Sequence, residues 1–149
     1  DKDTSGMILF AKHFIALAYL SSLFEDNDIS KTYRCIVEGY MDKKEDTIVS
    51  SILFDSKQNK MITSRYGKEA ESSYKVIRNL EDDKTLLDVV IKSGRTHQIR
   101  VQLASIGFPV VGDKIYGNDG ERLMLHFTKI GFRHFRTNKM VFAESKVSF

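Results

Sequence analysis

The spacing of apolar residues changes period along the chain, and each change predicts a different element. Residues 6–12, GMILFAK, are a short apolar run suited to a buried strand, after which residues 14–24 switch to helical spacing with Leu17, Leu20 and Phe24 on one face. Asp26, Asn27 and Asp28 end that helix. In KTYRCIVEG, Tyr33, Cys35 and Val37 alternate with Arg34, Ile36 and Glu38, the two-residue period of a strand, and Gly39 closes it. Further strands are predicted over 48–54, 61–63, 72–77 and 86–91, separated by polar turns rich in Asp, Asn, Lys and Gly. A second helix is predicted over 96–106, where Ile99, Leu103 and Ile106 recur at helical spacing, with Gly107 as its stop. The loop FPVVGDKIYGN follows, then three short extended pieces at 123–127, 131–135 and 140–142. Strands in runs with only two helices predict an α+β fold rather than a doubly wound one. No internal repeat, low-complexity stretch or linker divides the chain.

Composition narrows the picture further. A chain of 149 residues is the size of one domain, and folding at that size buries roughly 68–70% of the unfolded surface. With 42% hydrophobic and 29% charged residues, spread without a block of one sign, the chain is globular rather than disordered. No segment reaches the roughly 20 apolar residues that a membrane-spanning helix needs, and DKDTSG has none of the apolar run of a secretory signal. The 23 basic residues against 20 acidic give a formal charge of +3, which permits binding to a polyanion where the positive charges cluster. Cys35, the only cysteine, has no partner for an internal disulfide, in keeping with a reducing cytoplasm. His13, His97, His126 and His134 lack cysteines at zinc-like spacing, so no structural metal is expected.

The residues with chemical potential stand beside apolar elements: Asp1 and Asp3, Tyr33, Arg95 with His97, and the GDKIYG loop. Each has a plain structural explanation. Acids in a DKDTSG loop serve turns through their own backbone hydrogen bonds, and a strand tyrosine often lies at the edge of a core. Arg95 is less ordinary, because a cation in the first turn of a helix works against the macrodipole, so an anionic neighbour is expected. The same helix start offers free backbone N–H groups, and Lys92, Arg95, His97 and Arg100 surround it with positive charge suited to a phosphate or a carboxylate. In GDKIYG two glycines flank Lys114 and Tyr116 and allow close approach of a ligand, but the spacing is neither that of a P-loop nor that of a dinucleotide fold.

Three separated strings, in order, resemble one family. DKDTSGMILFAK resembles HRLDxxTSG followed by an apolar strand, KTYRCIVEG resembles KxYxAxVxG, and SGRTHQIRVQLASIGFPVVGDKIYG resembles GRTHQIRVH…GxPIxGDxxYG. GKEAESSYKV is similar to GKxAxTxYxV, and RLMLHFTKIGFRHFRT to LxLHAxxLxFxHPxT, so the resemblance spans nearly the whole chain. These are the motifs of RluA-type pseudouridine synthases. The chain departs from them in lacking HRL, in Ser93 and Ser72 where Thr is usual, in Gln102 where His is frequent, and in Phe135 where Pro is usual.

The resemblance implies a mixed, mainly antiparallel sheet with a few flanking helices, residues 1–149 forming a catalytic domain without its upstream strand or strands and without any amino-terminal RNA-binding module. It implies isomerisation of uridine to pseudouridine in ribosomal or transfer RNA, in the cytoplasm and without cofactor or metal, by a chain expected to be monomeric. Residue by residue, Asp1 matches the catalytic aspartate, three positions before the Thr of TSG. Tyr33 matches the active-site tyrosine and Arg95 the arginine expected to pair with the carboxylate. Thr4, His97 and Tyr116, with Lys12, Lys92, Arg100 and Lys114 as phosphate contacts, are the candidates for binding substrate or RNA. Cys35 is read as a core residue rather than a nucleophile. The alternatives are a fragment without activity and an RNA-binding module that keeps the fold without the chemistry.

Overall fold

In the computed structural model, which describes residues 1–147 and 149, the chain forms β1 (Ser5–Gly6), α1 (Phe14–Glu25), β2 (Ser30–Glu38), β3 (Glu45–Asp55), β4 (Lys60–Thr63), β5 (Lys68–Leu80), β6 (Lys84–Ile91), α2 (Gln98–Ser105), β7 (Leu125–Arg133) and β8 (Met140–Glu144). The strands join one sheet in the order β1-β7-β2-β6-β5-β3-β4, with β8 also on β7. Every pairing is antiparallel except that of β1 with β7. This is the expected α+β class with a mainly antiparallel sheet. No helix among the described residues is long and apolar enough to cross a membrane.

The alternation read in KTYRCIVEG holds for Cys35 and Val37, although Ile36 on the opposite face is buried too. Cys35 and Val37 are fully buried against Val89, Leu87 and Leu125 of the flanking strands, and α2 adds Ile99 and Leu103 to the same cluster. α2 ends as its glycine predicts: Gly107 takes φ 90, its N–H donates to the Ala104 carbonyl, and the Phe108 N–H donates to that of Leu103. Burial pushes the Cys35 thiol up, far from thiolate character, which agrees with a core role.

The run GMILFAK is not a buried strand. Only Ser5 and Gly6 pair with the sheet, and Ile8 and Phe10 are 76% and 80% exposed. The short pairing has a steric cause, since Gly6 has φ +114 and a Cβ there would run into the Phe127 backbone. The helix that follows buries Leu23, with Tyr19 and Leu20 half-buried beside Ile29 and Ile130, rather than the face of Leu17 and Phe24, which are exposed. Two irregularities break the sheet. Ile77 is unpaired on β5 opposite β6, and Thr128 is the extra residue on β7 opposite β2.

Because Gly6 fixes the approach of residues 1–5 to β7, Gly6→Ala is expected to lower stability by about 1–3 kcal/mol. Urea unfolding of the variant beside the unmodified chain measures it.

Candidate active site

A cleft of about 900 Å³ opens between the Asp1 loop, β2, the turn into α2 and β7. Asp1, Thr4, Tyr33, Arg95 and His97 all line it, although they come from positions up to 96 residues apart in the sequence. β1 supports one wall: pairing at Ser5↔His126 and Gly6↔Phe127 brings the amino-terminal loop over the end of β7, and the Thr4 N–H donates to the Asp1 carbonyl to close a turn. Tyr33 rises from β2 and is half-buried; burial pushes its hydroxyl up, so the phenol is neutral at ordinary pH.

The arginine that meets Asp1 is Arg100, not Arg95. Arg100 Nη1 lies 3.4 Å from Asp1 Oδ2, while its Nε and Nη2 make a two-pronged pair with Asp113 at 2.8 and 2.7 Å. Arg95 is exposed and donates from Nε to the Glu69 carbonyl at 3.2 Å. The reason is geometric: Arg95 precedes α2 in an irregular turn against β5, whereas Arg100 sits inside α2 on the side facing the Asp1 loop and Asp113. Arg100 is only 3% exposed, so it is a clamp between two carboxylates and not the surface phosphate contact expected of it.

Asp113, missed in the sequence, is fully buried. Burial alone would raise its pKa, but the Arg100 guanidinium and the N–H groups of Ile115 and Tyr116 outweigh that and hold it below the ordinary carboxylate range. The signal was present in the GD of GDKIYG, where an acid followed by a tight turn caps its own backbone.

His97 lines the cleft in a left-handed conformation, φ 55, and its Nδ1 shares a 2.9 Å hydrogen bond with the Tyr116 hydroxyl. Burial, with the nearby Arg100 charge, lowers its pKa and keeps the ring neutral at pH 7. Tyr116 stands behind it, accepting the Met61 N–H and lying under the Arg100 guanidinium. The remaining candidates are on the surface, outside the cleft wall: Lys92 pairs with Glu71 at 2.6 Å, Lys114 with Asp119 at 3.2 Å, and Lys12 is exposed.

The three side chains that depart from the motifs around α2 meet in one buried network. Ser93 Oγ donates to Gln98 Oε1 at 2.8 Å, Gln98 Nε2 donates to Ser72 Oγ at 3.0 Å, and Ser72 Oγ donates to Gln102 Oε1 at 2.6 Å. Gln98 Oε1 also accepts the Arg95 N–H, so this chain holds the turn that forms one lip of the cleft.

A family model described as RNA pseudouridylate synthase matches residues 1–105. The uncharacterised RNA pseudouridine synthase YhcT of Bacillus subtilis (strain 168) is 39% identical over 150 residues, 97% of this chain and 50% of the relative. Ribosomal large subunit pseudouridine synthase D of Borreliella burgdorferi is 36% identical over 137 residues, 87% of this chain and 42% of the relative. The solved structure of human RNA pseudouridylate synthase domain containing 1 superposes with a TM-score of 0.81 at 23% identity, over 92% of this chain and 62% of that one, a likeness of fold. The chain spans about half the length of the curated relatives it matches.

Replacing Asp113 with Asn strands a buried guanidinium, and stability is expected to fall by about 3–5 kcal/mol. The depressed pKa fixes the sign of the acid dependence: the contribution of Asp113 is present above its unfolded value, roughly 3.9, and is lost as pH falls through the lower folded value. Urea midpoints between pH 7 and pH 3 therefore drop more steeply for the unmodified chain than for Asp113→Asn.

Proposed function

The chain belongs to the RNA pseudouridylate synthase family, and from that premise we propose that it isomerises uridine to pseudouridine in RNA, with ribosomal or transfer RNA as the substrate. The observation that carries this reading is the ion pair of Asp1 with Arg100 at the edge of a cleft that also holds Tyr33.

The reaction breaks the N1–C1′ bond, turns the uracil and forms a C5–C1′ bond; the C5 proton leaves and N1 gains one. Asp1 acts on the sugar, at C1′ as a nucleophile or at C2′ as a base, and both roles need an ionised carboxylate. Arg100 supplies a fixed positive charge for it, and Asp113 holds that charge in a bidentate grip that leaves Nη1 for Asp1. Tyr33, a neutral phenol in the resting cleft, offers its ring as a stacking surface for a base taken out of the RNA stack. Its hydroxyl is then beside the uracil when the C5 proton must leave.

Arg95, exposed on the lip, is the cation best placed for the phosphates of the entering strand. Lys12, Lys92 and Lys114 stand farther out, where they add to the positive field without contacting the reacting nucleotide.

The test is release of tritium from RNA labelled at uridine C5. The chain is expected to release it, and Asp1→Asn to lose at least roughly a thousand-fold in rate. Full activity in the variant would overturn the assignment, and RNA binding without release by the unmodified chain would favour the alternatives, an RNA-binding module or a fragment without activity.

A further inference from the structure

Beyond its backbone pairing with Gly6, Phe127 turns its side chain into the lining of the same cleft. Its ring stacks on that of Tyr33, with centroids 4.6 Å apart and planes 16° from parallel. The pairing is produced by the bulge in β7. Thr32 pairs with Lys129, so an uninterrupted ladder would set Thr128 opposite Tyr33; the extra residue moves Phe127 there instead. Thr128 is buried and donates its hydroxyl to the Thr32 carbonyl at 2.9 Å, which fixes the bulge in place. The Phe127 backbone meanwhile holds the other side of the cleft: it is the register partner of Gly6, and its carbonyl accepts the Met7 N–H at 3.3 Å. One residue thus touches both the tyrosine and the segment that carries Asp1. In the string LxLHAxxLxFxHPxT, to which this stretch is similar, the corresponding position is the small residue after the histidine.

We propose that Phe127 is a positioning and specificity residue for Tyr33: it covers one face of the tyrosine ring, so that an incoming base stacks on the other face alone and meets the hydroxyl in a single orientation. This rests on the pseudouridine synthase reading. The ring of Phe127 is apolar and parallel to that of Tyr33, so it restricts tilting of the tyrosine without competing for its hydroxyl. Leu125 and Ile91 line the same cleft beside it. A half-buried tyrosine with both faces open would admit a base on either side and at two distances from Asp1.

The experiment compares Phe127→Leu and Phe127→Tyr in the full chain, with urea unfolding to confirm that each is folded. Tritium release from C5-labelled RNA is expected to fall about tenfold in kcat for Phe127→Leu with KM within roughly twofold, because a misplaced catalytic group costs rate more than binding. Phe127→Tyr, which keeps the ring, stays within about twofold of the unmodified chain. In a Tyr33→Phe background the Phe127→Leu change costs no more than about twofold further, since its effect passes through the tyrosine hydroxyl. Equal kcat in Phe127→Leu and the unmodified chain overturns the proposal, as do fully additive losses with Tyr33→Phe or a gain in rate. A readout independent of catalysis separates the two levels: the Tyr33 ring proton resonances shift downfield in Phe127→Leu when the stacked ring is removed. Absence of tritium release by the unmodified chain overturns the enzymatic reading itself, and with it the role of Phe127, even where that shift is seen. An unchanged Tyr33 resonance overturns the stacking.

Discussion

A buried guanidinium is the constraint on which the rest of this structure turns. Arg100 lies inside α2, 3% exposed, with two of its nitrogens committed to Asp113 and a third turned toward Asp1. A charge so placed is costly unless it is paired and hydrogen-bonded, so the loop carrying Asp113 and the loop carrying Asp1 are both drawn to the same helix. Two acids sharing one cation give the assembly an internal order. Asp113 is closed away from water, while Asp1, at the longer distance of 3.4 Å, lines the cleft.

The sheet supplies what that clamp cannot. Gly6 lets residues 1–5 lie close on β7, and the bulge at Thr128 sets Phe127 opposite Tyr33, so that the cleft has an aromatic wall. The amide and hydroxyl chain from Ser93 through Gln98 and Ser72 to Gln102 ties the start of α2 to β5, and Gln102 continues it to Ser50 on β3. Every side-chain polar atom fully buried among the described residues has a partner. That completeness matters here, because a half-satisfied network around a buried charge would loosen the groups it is meant to fix.

Much of this was legible in the order of residues. Alternation in KTYRCIVEG gave β2, polar turns between apolar stretches gave β3, β5 and β6, and Gly107 marked the end of α2. GMILFAK misled because an apolar run says nothing about whether a neighbouring strand exists to cover it; here the residues after Gly6 leave the sheet and several stay exposed. The motif strings brought out Asp1, Tyr33 and the α2 region, but GRTHQIR contains two arginines, and choosing between them needs their partners. Arg95 reaches the Glu69 carbonyl while Arg100 reaches Asp1 and Asp113, contacts between distant residues that linear spacing does not contain. Asp113 and Phe127 were hidden for a related reason. The value of each depends on a partner far along the chain, Arg100 for one and Tyr33 for the other, and in the second case on a bulge that shifts the register by one residue.

In the proposed mechanism Arg100, rather than Arg95, sustains the carboxylate of Asp1. Single-turnover rates of C5 tritium release for Arg100→Lys and Arg95→Met, each measured on folded protein at saturating RNA, test it most directly. The account predicts a loss of about 100-fold for Arg100→Lys, because an ammonium cannot hold both carboxylates in the fork geometry, and less than about tenfold for Arg95→Met. A large loss confined to Arg95→Met, with Arg100→Lys near the unmodified rate, would contradict it.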